Sequence, residues 1–196
     1  DIPMENGTVH VCLTGRFPWE NRIELSITSP AAFSLALRIP DYAEGFSVTM
    51  AGRPAAVDRR KGYVTLPLEA GESVVSLTLD IPPHLVYANE QVRASAGQAA
   101  VMRGPLLYCM EEIDNAGPLS SLLIDADTAF SENWTDELGG IILIDAAGWR
   151  EKGPGIDTLY RNEAPVRESA SLHFLPYCVW DNRTPGEMRT FVRVTP

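Results

Sequence analysis

Sulfur and imidazole are scarce in this chain. Its only cysteines, Cys12, Cys109 and Cys178, lie far apart, and so do its three histidines, His10, His84 and His173. An odd, sparse set of cysteines is not a disulfide framework. No pair has the spacing of zinc ligands, so the three read as isolated free thiols on strands. Each histidine reads as a strand-face residue; His173, beside Phe174, has the best claim to more. A phosphate loop, a dinucleotide fingerprint and a GxSxG nucleophile elbow are all missing. No apolar run approaches the ~20 residues of a membrane span, and no signal peptide is visible at Asp1. Positive charge is short as well: 16 Lys and Arg stand against 26 Asp and Glu, for a net charge of −10. That balance speaks against nucleic acid and against anionic membrane surfaces as partners. The reading leans to a cytoplasmic over a secreted setting. Secretion of a parent protein stays open, because Asp1-Ile2-Pro3 opens without an initiator Met and reads as part of a longer or processed chain.

What the chain does have is strand texture. Apolar residues make up 45% of the 196 residues, enough for a real core. In Arg22–Ile27, Ile23, Leu25 and Ile27 share one face, with Arg22, Glu24 and Ser26 on the other. Thr8–Leu13, Phe33–Ile39, Phe46–Met50, Tyr63–Leu66 and Val74–Ile81 continue the series, broken by Gly/Pro turns. Such spacing predicts an antiparallel sandwich, and no window in this half carries a helical period. After Pro82-Pro83 the texture changes. His84–Tyr87, Ala99–Met110, Ile141–Ile144, Ala170–Trp180 and Met188–Val194 read as strands. Pro105 is expected to force a bend or bulge within one of them. Asn115–Asp136 is ambiguous between a helical turn, strand and loop, and Gly148–Ala164 reads as a long loop. The expected fold is all-β, with two antiparallel, jelly-roll-like β-sandwich units over residues 1–90 and 91–186. One option is that 187–196 crosses back to complete the first unit.

Candidate chemistry is thin. Glu111-Glu112 is an adjacent pair, and strand neighbours point to opposite faces, so the two cannot flank one glycosidic bond; a solvated strand end is the expected reading. Among the aromatics, the core or interface reading outweighs a sugar platform. Phe17, Trp19 and Arg22, and Tyr177, Trp180 and Arg183, are the candidates for an interface or a sugar contact, because they concentrate in turn-flanked phrases. No catalytic and no metal-ligating residue is assigned. Sequons stand at Asn6, Asn133 and Asn182.

Three phrases carry a family likeness: Phe17-Pro18-Trp19-Glu20 running on to Phe33–Pro40; Val101-Met102-Arg103-Gly104-Pro105-Leu106-Leu107-Tyr108-Cys109-Met110-Glu111; and Leu175–Arg189 with Trp180, Asn182-Arg183 and Gly186-Glu187-Met188. Together the phrases resemble the C-terminal part of glycoside hydrolase family 127, the β-L-arabinofuranosidase family. The resemblance implies a parent with a catalytic (α/α)6 barrel, a zinc-bound cysteine nucleophile and a glutamate acid/base. This chain has no adjacent cysteine pair and no helices to build such a barrel, so none of those roles is carried over. The implied role is an accessory β-region without a cofactor of its own, in a parent that carries zinc. Its implied partners are its own catalytic barrel and, as open alternatives, a second copy of the chain or a carbohydrate. An autonomous carbohydrate-binding module is the main alternative function; a free-standing enzyme finds no support in the residues.

Overall fold

The structure is a computed structural model that describes residues 1–153, 159–160 and 162–195. The protein is nearly all β and divides into two units, Asp1–Pro82 and Pro83–Pro196. Among the described residues no helix is long and apolar enough to cross a membrane.

The first unit contains β1 (Ile2–Met4), β2 (Gly7–Thr14), β3 (Arg22–Ser29), β4 (Phe33–Arg38), β5 (Gly45–Met50), β6 (Arg53–Pro54), β7 (Tyr63–Leu68) and β8 (Gly71–Asp80). One antiparallel sheet has the order β1-β2-β3-β8-β5-β6, and β4 pairs with β7 in a second. The alternation read from the sequence is the reason these residues form strands. Leu25 and Ile27 of β3, Val75, Leu77 and Leu79 of β8, and Val64, Leu66 and Leu68 of β7 all point into one buried cluster. Both sheets contribute to that core, which is the packing of a sandwich.

The second unit contains β9 (Pro83–Tyr87), β10 (Gln98–Arg103), β11 (Leu106–Glu111), β12 (Leu122–Asp125), β13 (Phe130–Thr135), β14 (Ile141–Lys152), β15 (Val166–Pro176), β16 (Met188–Arg189) and β17 (Phe191–Thr195), with a short α-helical turn, α1 (Glu112–Asn115), and several 3-10 turns. Pairings run β10–β11–β15–β14–β12–β17 and return to β10, so the sheet closes on itself in a barrel-like circuit. All are antiparallel except β12 with β17. Every second residue of these strands points inward: Tyr108 and Met110, Leu122 and Ile124, Ile144 and Ala146, Leu172 and Phe174. The Tyr108 hydroxyl, fully buried, donates to the Ile142 carbonyl at 3.0 Å.

The chain passes into the second unit at Pro83, where the texture of the sequence changes. Three sequence expectations meet a different outcome here. The last strand does not cross back to the first unit: β17 lies between β10 and β12, where Val192 fills the second core. Gly104-Pro105 makes no bulge but a two-residue hairpin turn between β10 and β11, with Arg103 opposite Leu106. Gly104 takes a φ of 51°, the left-handed value such a turn needs at its first position, and Pro105 then sits outside the ladder. Gly148–Lys152 is strand, not loop, and continues β14 beside β15. Residues 154–158 and 161, also read as loop, lie outside the described residues.

Candidate functional site

Phe17, Trp19 and Arg22 belong to the first unit. The backbone N–H groups of Trp19 and Glu20 both donate to the Arg16 carbonyl, at 2.7 and 3.1 Å, which closes a tight turn before β3. Phe17 is half-buried against the first core and Trp19 is half-buried. Arg22 is exposed and donates to Glu24 at 2.8 Å and to Ser76 at 3.0 Å. The stretch is a turn packed on its own sandwich, with an exposed polar rim.

Tyr177, Trp180 and Arg183 belong to the second unit. Tyr177 and Trp180 stack with ring centroids 6.1 Å apart and remain 42% and 37% exposed. Arg183 does something the sequence did not reveal. Its guanidinium grips Asp114 of α1 at 2.8 and 2.5 Å and, through Nη2 and Nε, the Glu111 carboxylate at the end of β11. The expected solvated strand end is therefore overturned: Glu111 is only 8% exposed, and Arg183 and the Asp181 N–H compensate its charge.

Around this pair the segments 111–115 and 181–189 are laced together. Glu112 N–H donates to the Glu187 carbonyl, and Glu187 N–H returns a bond to the Glu112 carboxylate, both at 2.9 Å. The Glu187 carboxylate accepts from Arg189 and from the Leu119 N–H, each at 2.8 Å, and Arg189 above all holds its pKa below the ordinary glutamate value. Buried Asn115 continues the ladder as a side chain: it donates to the His173 carbonyl and accepts from the His173 N–H, both at 2.9 Å. Two signals existed in the sequence, Glu111-Glu112 and Asn182-Arg183, but nothing local joins residues seventy positions apart.

Cys12 and Cys178 are exposed and Cys109 is buried. Among the described residues no three His, Cys, Asp or Glu side chains cluster in a way that could hold an ion. Burial, reinforced by the nearby Glu111 carboxylate, pushes the Cys109 thiol up to about 12. A thiol raised this far is a weak nucleophile at neutral pH. In native protein, Ellman's reagent is thus expected to titrate two thiols quickly and the third only after denaturation. Rapid reaction of all three would refute the burial of Cys109.

Residues 1–81 match the family model of the GH127 β-L-arabinofuranosidase middle domain, and residues 83–193 match that of the glycoside hydrolase family 127 C-terminal domain. The chain belongs to glycoside hydrolase family 127. It is 38% identical over 194 residues to a non-reducing end β-L-arabinofuranosidase of Bifidobacterium longum subsp. longum, covering 90% of this chain and 29% of that protein. Among solved structures, a GH127 β-L-arabinofuranosidase from Geobacillus stearothermophilus T6 matches with a TM-score of 0.92 at 30% identity, over 99% of this chain and 32% of that one. A GH127 β-arabinofuranosidase matches with a TM-score of 0.82 at 26% identity, over 95% of this chain and 32% of that one. This family 127 chain therefore spans about a third of the length of these relatives, and its two units coincide with the two matched domains. The phrases Phe17–Glu20, Val101–Glu111 and Leu175–Arg189 belong to turns, a hairpin and the Arg183 lacing.

Proposed function

We propose that this chain is the accessory β-region of a family 127 glycoside hydrolase that releases L-arabinofuranose or a related sugar, and that a separate catalytic barrel performs the hydrolysis. The observation that carries this reading is the pair of family matches, to a middle and a C-terminal domain, over a chain whose buried Cys109 is held as a thiol. Hydrolysis of a glycoside by paired carboxylates needs two of them facing one bond. Here Glu111 and Asp114 share one arginine, and Glu112 binds the backbone of Glu187. These carboxylates are occupied in holding the fold. The role left to the chain is to pack on the barrel. Phe17 and Trp19 in one unit, and Tyr177 and Trp180 in the other, are the candidate contact side chains, with Arg22 and Arg183 beside them.

The test is direct. The purified 196-residue chain is expected to leave aryl β-L-arabinofuranosides intact and to contain no stoichiometric zinc by atomic absorption. Turnover by this chain alone, or zinc lost on mutating Cys109 or Cys178, would overturn the reading.

A further inference from the structure

The outer face of β14 and β15 carries a trough of about 600 Å³, well within the range of ligand sites. Register defines it. Asp145 pairs with His173, Ala147 with Ser171 and Trp149 with Ser169, and all six side chains point away from the barrel core. Small residues form the floor, Trp149 stands at one end and Asp145–His173 at the other. Four residues of strand separate the ends, or about 13 Å. That is long enough for a short oligosaccharide and more than a single sugar ring requires.

Both ends are fixed in place. The Trp149 indole N–H donates to the two Asp125 oxygens at 2.8 and 3.0 Å, which sets the plane of the ring. Asn133 donates to one Asp145 oxygen at 2.6 Å, and His173 Nδ1 lies 2.7 Å from the other. A carboxylate can only accept, so Nδ1 donates to Asp145, which fixes the ring and leaves Nε2 as its second hydrogen-bonding atom. Two observations then select the ligand. Among the described residues His173 is the only basic side chain lining the trough, which disfavours phosphates and uronates. Asp125 and Asp145 are spent on orienting the rings, which leaves no dedicated carboxylate for an ammonium group. What remains is an aromatic ring, an imidazole nitrogen and the hydroxyls of Ser169 and Ser171, a set matched to a neutral molecule with an apolar face and a hydroxyl rim.

We propose that this trough binds a neutral saccharide chain, one ring stacked on Trp149 and a hydroxyl of another hydrogen-bonded to His173 Nε2. The site stands on the sheet face of the second unit and does not depend on the accessory role argued above.

The test uses the Trp149 indole N–H resonance of the 15N-labelled chain during titration with neutral arabino-, xylo- and cello-oligosaccharides. At least one series is expected to shift it saturably, with little dependence on salt, while the Trp180 resonance stays still. Ser171→Tyr fills the floor from an exposed position and is expected to abolish the shift at unchanged Tm. His173→Ala, the second variant, is expected to weaken it. The proposal is overturned by the absence of a saturable shift with all three series, by a shift that persists in Ser171→Tyr and in His173→Ala, or by a shift confined to Trp180.

Discussion

Gly148→Ala is expected to unfold the second unit or to lower its stability by about 3 kcal/mol, the upper end of the usual cost of overpacking. Gly148 lies mid-strand in β14, paired with Ile124 on one side and Ala170 on the other. Its inward direction is shared with Ala146. A Cβ built there runs into the Leu123 carbonyl oxygen and comes within 2.7 Å of Leu172 Cδ1. The leucine could turn aside, but the carbonyl is part of the paired backbone and cannot. Urea unfolding followed by circular dichroism measures the loss. Adding Leu172→Ala should not rescue it, because the backbone clash remains. A Gly148→Ala protein within 1 kcal/mol of the parent, on the scale of ordinary surface substitutions, would show that the strand can part at this point.

Arg183→Met should cost about 3 kcal/mol, the penalty for leaving a buried carboxylate without its cation, and lower the Tm of the second unit by roughly 10–20 °C. The argument rests on Glu111, whose side chain is only 11% exposed and whose charge meets Arg183 directly. Arg183→Lys keeps the charge but cannot fork between Glu111 and Asp114, and is expected to recover only part of the loss. The decisive comparison is the double variant Glu111→Gln, Arg183→Met. If the cost comes from an uncompensated charge, removing that charge restores much of the stability. A double variant as unstable as Arg183→Met alone would instead assign the loss to packing of the arginine stem.

Legibility followed the range of the interactions. The strands of the first unit were readable because Leu25 and Ile27, or Val64 and Leu66, declare their buried face within a few residues. The Phe33–Ile39 run ended at Pro40 as its sequence required, with β4 stopping at Arg38. In the second unit the deciding contacts are distant. Glu111 looked like a solvated end because its cation lies 72 positions away. Gly148 read as the start of a loop; only the close approach of Leu123 and Leu172 makes a glycine necessary inside a strand. Of the candidate residues, Arg183 emerged as a structural tie. His173 and Trp149 were visible as residues, but their alignment with Asp145 across two strands belongs to the register of β14 and β15.

The closed circuit of the second unit also has a consequence in time. A ribosome delivers β10 early, yet β10 keeps an unpaired length of edge until β17 arrives to fill the gap beside β12. The nascent second unit therefore waits, an unclosed sheet with exposed hydrogen-bonding groups, while some ninety residues are added. The first unit waits less: β3 keeps an open edge only until β8, its last strand, which ends at Asp80, and every partner of every strand has by then been synthesised. Order of manufacture thus favours a finished first unit beside an unfinished second one, and the interval before Phe191–Thr195 emerges is when the growing chain is most open to pairing with a neighbour.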